Sequence, residues 1–240
     1  MTTALESIQL DTMTIPVRRS SRRKSMGITV DRDGSIFVAA PNDCELDKIS
    51  DYVRSKSVWI YTKLFEREQL VSDEPHVKQF VDGASFLYLG QAYRLKLMDR
   101  SEDDLKPPLV LADDWFLLDR NEQNKASTLF RRWYALQGLP LVEAAVKELS
   151  DRIAAPSAIE IRDIGFRWGS CTAEGKVLIN WRAIQLPIRI LKYVVAHELV
   201  HLLHRNHDAD FWTHLQRVMP DYEERKTWLA HNGESFAAEF

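Results

Sequence analysis

The chain has 240 residues, 45% of them apolar and 28% charged, with a formal net charge of -3. That is ample for one large core or two small ones, and whole-chain electrostatics implies neither nucleic acid nor an acidic substrate. There is no run of about 18 apolar residues and no apolar core behind a basic start in Met1 to Ile15, so neither a membrane span nor a secretory signal is expected. The two cysteines, Cys44 and Cys171, stand in different settings and fit reduced thiols in a cytoplasmic protein. With one in each half they exclude a CxxC zinc ribbon, so a metal would have to be held by His, Asp or Glu.

In chain order, residues 1–14 read as a flexible leader. Pro16 to Lys24 then carries five basic residues in seven positions, Arg18 to Lys24. No aromatic residue interleaves this run for base stacking, so a charged edge strand is favoured over a nucleic-acid patch. Met26 to Val30 and Ile36 to Ala39 are strand-like and joined by Asp33-Gly34, a hairpin signal. Pro41 ends the second strand, and Asp47 can cap a helix from about Lys48 to Glu68. Its Ile49, Val53, Ile60 and Leu64 keep helical spacing. His76 reads as a surface-loop residue. Ser85 to Gly90, Tyr93 to Leu97, Leu109 to Leu111 and Trp115 to Leu118 complete a β-rich region over 15–118. The character changes near Asn121, opening a second domain over 119–240. One helix is expected from Glu122 to Gln137, an interruption at Gly138 and Pro140, and a second helix to about Ile153. Ala158 to Ile164 and Phe166 to Thr172 alternate as strand, turn at Glu174-Gly175, and return through Val177 to Trp181.

Pro187 then opens a helix to about His204 with an apolar face of Ile188, Leu191, Val195, Leu199 and Leu202. It carries His197-Glu198-Leu199-Val200-His201, an HExxH pattern. Residues four apart share a helix face, so His197 and His201 can hold one metal ion together, and Glu198 sits where a base for a metal-activated water is needed. The pentapeptide alone arises by chance in many proteins. It gains weight from the apolar helix, the preceding strands and the crowding of four of the seven histidines between 197 and 207. His207 follows His201 by six positions, the offset of the third histidine in HExxHxxGxxH. The glycine position is occupied by His204, and Asn206, next best to glycine in left-handed backbone, is expected to turn the chain. Asp208 or Asp210 can cap the following helix, which carries Phe211 and Trp212. The alternative third ligand is Glu223 or Glu224. His204 is expected behind the ligands or at the surface, and His214 and His231 on helix surfaces. Tyr222, Arg167 and Tyr193 are candidate donors to an oxyanion. Asn180 or Asp210 could fix a histidine tautomer.

Several of these stretches together resemble one family. Phe166-Arg167-Trp168-Gly169-Ser170-Cys171, Leu178-Ile179-Asn180, Tyr193 to His201, Asn206-His207 and Phe211-Trp212 look like the YgjP-like metallopeptidases. Ser21-Arg22-Arg23-Lys24, Asp33-Gly34, Ala40-Pro41, Trp59-Ile60 and Tyr88 to Tyr93 recur there in the same order, so the resemblance spans about 15–230. That family is similar in turn to the SprT-type zincins. The resemblance implies an α+β fold in which the small N-terminal β-rich region precedes a zincin-like catalytic domain with helices, a short mixed sheet and an HExxH active-site helix. It implies Zn2+ held by His197, His201 and His207, with Glu198 catalytic. The segment Phe166 to Cys171 would be the strand that pairs with an extended peptide or protein substrate. Cys171 in it is read as a buried structural thiol, against a zinc-reactive one. Two other functions stay open: a nucleoside triphosphate pyrophosphatase, and a non-catalytic, zinc-stabilised binding module. The first lacks a P-loop, a Gly-rich phosphate cradle and a carboxylate cluster for magnesium. The second has no need of Glu198.

Overall fold

A computed structural model describes residues 6–11, 13–30, 35–57, 59–61, 64, 78–99, 107–165 and 167–236. They form two compact units, divided between Glu74 and Pro75. The first contains β1 (Ser7–Leu10), β2 (Met13–Ser20), β3 (Gly27–Val30), β4 (Ile36–Pro41) and α1 (Leu46–Ser55). Its sheet runs β1-β2-β4-β3, with β2 and β4 parallel and the outer pairs antiparallel. Alternation in β1 turns Ile8 and Leu10 to one face, where they meet Ile15, Val17, Val38, Ala40, and Ile49 and Val53 from α1. Residues 7–10 and 13–14 are thus part of the sheet, which corrects the expected leader over 1–14. Two inward residues suffice for so short a strand when a longer neighbour supplies its hydrogen bonds.

The basic run is also placed differently from expectation. β2 lies between β1 and β4, inside the sheet rather than at its edge. Arg18 lies 3.7 Å over the Phe37 ring. Arg19 pairs with Glu6 and donates to the carbonyls of Pro41 and Cys44. These charges hold the fold, and Arg22, Arg23 and Lys24 are exposed in the turn that follows. Asp47 sits inside the first turn of α1 rather than at its cap. The Asp33-Gly34 hairpin, most of the expected continuation of the helix to Glu68, and His76 lie outside the described residues.

The second unit begins with β5 (Ser85–Tyr88), β6 (Gln91–Met98), β7 (Leu109–Ala112) and β8 (Trp115–Asp119), ordered β5-β6-β8-β7. Phe86 and Phe116 from these strands share a core with Phe130 and Tyr134 of the helix that follows. The Phe86 and Phe130 rings stack at 4.2 Å, and Tyr134 stacks on Trp181 at 5.7 Å. The change of character near Asn121 therefore marks a switch from strand to helix within one core, and the division between units falls at 74/75 instead of 118/119.

That helix, α2 (Ala126–Leu149), runs through both Gly138 and Pro140 where an interruption was expected. Gly138 is buried, and a Cβ there would collide with the Ile184 side chain, so glycine permits close packing and breaks nothing. Pro140 and Leu136, whose carbonyl loses its helical donor to the proline, are both on the exposed face, where that carbonyl need not be buried unpaired. β9 (Ala158–Arg162), β10 (Gly169–Cys171) and β11 (Lys176–Asn180) follow in the order β10-β11-β9, with β10 at an edge. Three helices close the unit: α3 (Ile188–Val200), α4 (Ala209–Val218) and α5 (Tyr222–Asn232). The architecture is mixed α+β with small mixed sheets. No helix among the described residues is long and apolar enough to cross a membrane.

Candidate metal centre

α3 is anchored by its apolar residues. Ile190, Leu191, Val194, Val195, Leu199 and Val200 are buried, and the Pro187 carbonyl accepts from the amides of Ile190 and Leu191. His197 projects one turn beyond Tyr193, their rings 6.0 Å apart. The helix stops at Val200. The amides of Leu202 and Leu203 then bond to Leu199 and Val200, each at 3.0 Å, a tightening of the last turn that reverses the chain. No left-handed residue is used. Among the described non-glycine residues only Asp11, Leu89 and Asp113 have positive φ, so Asn206 does not make the turn expected of it. Asp208, not Asp210, then caps α4 by accepting from the Phe211 amide at 3.0 Å.

This route brings His207 back against α3. Its Nε2 lies 2.8 Å from Nε2 of His197 and 3.1 Å from Nε2 of His201. His201 Nδ1 is 2.9 Å from the His204 carbonyl, an acceptor only, so Nδ1 carries the proton and Nε2 presents its lone pair to the cluster. Burial, and then the neighbouring positive charges, push His197 down to about 3 and lower His207 as well. Both rings are therefore neutral, the state a metal ligand requires. Three nitrogens so close fit a divalent cation, since bonds of about 2.1 Å hold tetrahedral ligand atoms roughly 3.4 Å apart. Among the described residues these three histidines form the group able to hold a metal ion, and neither Cys171 nor Glu223 nor Glu224 joins it. Glu224 pairs instead with Arg189 at 2.8 Å, and Glu223 accepts from the Tyr222 hydroxyl at 3.1 Å.

The floor of the cluster is aromatic. The fully buried Phe211 ring lies 4.9 Å from His197 and 4.7 Å from both His201 and His207. Trp212 stacks on His207 at 5.5 Å and donates from its indole to the His207 carbonyl at 3.2 Å. Sequence spacing did not reveal this packing, although Phe211, four residues after His207, carries the signal.

Glu198, next to His197 in α3, is buried. Its carboxyl is pushed up to about 8 by burial, against the opposing pull of the Arg167 guanidinium and the Cys171 backbone N–H. Gly169, on the edge strand β10, makes room for it: a Cβ there would sit 2.6 Å from both Cγ and Oε1 of Glu198. Gly169→Ala should displace that carboxylate and lower any activity depending on it roughly a hundredfold, the cost of misplacing a reacting group by about 1 Å. Steady-state kinetics beside a thermal melt checks this; an active Gly169→Ala chain would mean that the slot is not needed.

The family model described as a YgjP-like metallopeptidase domain matches residues 24–232. The chain belongs to the YgjP-like family. No curated protein sequence matches this YgjP-like chain. Among solved structures it is similar to the crystal structure of the metallopeptidase zymogen of Pyrococcus abyssi abylysin, at 20% identity over 37% of this chain and 90% of that one, with a TM-score of 0.34.

The other residues singled out in the sequence fall at several distances from the cluster. Asn180 is buried, but its Nδ2 donates to the carbonyls of Gly165 and Arg167, each at 2.8 Å, and its Oδ1 accepts from the Arg182 amide at 3.0 Å. It holds the loop before β10 and fixes no histidine tautomer; that task falls to the His204 carbonyl. Asp210 is exposed in the first turn of α4. His204 pairs with His214 at 3.3 Å, and His214 in turn lies 3.3 Å from the Arg152 carbonyl, so His214 links helices rather than standing alone on a surface. His231 is exposed, its ring 2.7 Å from the Thr227 carbonyl one turn earlier. Arg167 reaches Ser170 Oγ at 3.2 Å. The Cys171 thiol is half-buried and free, raised by desolvation and then by Glu198. Trp168 is half-buried, and Phe166 lies outside the described residues. The Tyr193 hydroxyl is pushed up to about 12 by burial and by Glu198, so it stays protonated.

Proposed function

We propose that the chain is a zinc-dependent metallopeptidase of zincin type, in which His197, His201 and His207 hold the metal and Glu198 is the catalytic base. The observation that carries this is the meeting of three imidazole Nε2 atoms on and after the helix that holds the buried Glu198, in a chain of a metallopeptidase family. Zinc would supply Lewis-acid polarisation of the scissile carbonyl and of the attacking water. The chain's own groups do the rest. His201 is oriented by the His204 carbonyl, and Phe211 keeps water from the inner side of the cluster. Glu198, in its ionised form, takes a proton from the nucleophile and returns it to the leaving amine. β10, an edge strand, offers its free side to an extended peptide, placing the segment from Arg167 to Cys171 against substrate. Reduced Cys44 and Cys171 suit a cytoplasmic setting.

Of the three candidate oxyanion donors, Tyr193 is the best supported. The Tyr222 hydroxyl already donates to Glu223, whereas Tyr193 lies one turn before His197 and within electrostatic reach of Glu198. Tyr193→Phe should lower kcat about a hundredfold with little change in KM. An unchanged kcat would remove Tyr193 from the chemistry.

The decisive test sets cleavage of an unfolded protein against turnover of nucleoside triphosphates, in the zinc-loaded chain and in Glu198→Gln, with zinc content measured in both. Proteolysis lost in the variant with zinc retained supports the peptidase. Triphosphate turnover lost in the same way, without proteolysis, moves the reading to a pyrophosphatase. Zinc bound with neither activity leaves a metal-stabilised binding module.

A further inference from the structure

Two cations stand beside the centre on different elements. Lys226, on α5, places its ammonium 4.3 Å over the Trp212 ring, which also stacks on His207 and Tyr222, packs edge-on to Phe211 and His197, and donates from its indole to the His207 carbonyl. Arg167 precedes β10, where Gly169 lies against Glu198. Neither forms an ion pair among the described residues, while the other cations of α5 and α3 do: Arg225 pairs with Asp221, Arg189 with Glu224 and Lys192 with Glu148. Most acidic side chains of α4 and α5 are engaged with other groups. Asp208 caps α4, Glu223 accepts from Tyr222, and Asp210 is exposed in the first turn of α4. The positive charge of Lys226 is felt at both His197 and His207. An aromatic face under an ammonium restricts where that charge stands, although the side chain is solvent-facing.

We propose that Lys226, seated on Trp212, is a specificity-determining residue that receives a carboxylate of the substrate, so that the site selects acidic peptides. This rests on the peptidase reading. Separated carboxylates on an extended peptide match single cations on separate elements, one at α5 and one before the edge strand. A triphosphate would instead require several donors converging on one point, and among the described residues no such convergence accompanies Lys226.

The test uses the full zinc-loaded chain and one peptide scaffold carrying Glu, Gln or Lys beside the scissile bond. The wild-type ratio of kcat/KM for Glu over Gln should be roughly tenfold, the scale of one charge-assisted hydrogen bond, and should fall with added salt. In Lys226→Ala the ratio should approach one, and in Lys226→Glu it should invert in favour of the Lys peptide. Lys226 is exposed, so neither change disturbs a core. A Glu preference that survives Lys226→Glu would overturn the proposal. If no peptide is cleaved at all, the peptidase reading fails by itself, and peptide affinities of the Glu198→Gln chain decide the rest. Preferential binding of the Glu peptide, abolished by adding Lys226→Glu, would sustain the acidic site; equal binding of the three peptides, or binding of a nucleoside triphosphate alone, would end it.

Discussion

Glu198→Gln is expected to keep its fold and its zinc while losing about three orders of magnitude in peptide hydrolysis. The substitution changes one atom of a side chain that is already buried, and the slot against Gly169 fits an amide as well as a carboxylate. The Cys171 N–H that now donates to the carboxylate can donate to the amide oxygen. What disappears is the proton acceptor. Burial makes this carboxyl hold a proton more strongly than an exposed glutamate does, so in its ionised form it is the stronger base. An amide accepts no proton at any working pH. Zinc content by mass spectrometry and initial rates on an unfolded protein substrate separate the two roles. Loss of zinc along with activity would make Glu198 a structural support of the cluster, and retained activity would send the search for the base elsewhere.

The parts of this molecule that were legible in the sequence are those whose causes are local. The helix spacing of His197 and His201, the offset of His207, and the alternation of β6 each depend on residues within one turn or one strand. The parts that were not legible depend on distant partners. β1 is a strand because Ile8 and Leu10 meet Val38 and Ile49. α2 continues through Gly138 because that glycine lies against Ile184, some forty-six residues on. The slot for Glu198 is made by a glycine twenty-nine residues earlier, and the order of strands β10 and β11 brings it there. Asn206 tolerates left-handed backbone but does not adopt it, because a tightened helical turn at Leu202 and Leu203 already reverses the chain. His204 meets the cluster through its carbonyl, a group every residue carries and side-chain chemistry therefore does not reveal.

His207→Ala should lower zinc affinity on the order of a thousandfold, since the proposed three-histidine site would lose one full metal–nitrogen bond. His207 sits outside the helix that carries the other two, so α3 can form without it. The loss should therefore appear in zinc affinity and hydrolysis far more than in helix content. Its Nε2 is the atom that approaches both His197 and His201, so no remaining side chain in the group closes the triangle. His204→Ala is the informative comparison. Its imidazole faces His214, while its carbonyl, which orients His201, survives the substitution. Zinc competition against a chromogenic chelator should rank wild type tightest, His204→Ala a little weaker and His207→Ala far below both. Near-equal affinities for wild type and His207→Ala would transfer the third ligand to Glu223 or Glu224, which would then have to give up Tyr222 or Arg189. The opposite ranking of the two histidine variants would place the metal on the far side of the turn, against His204 and His214.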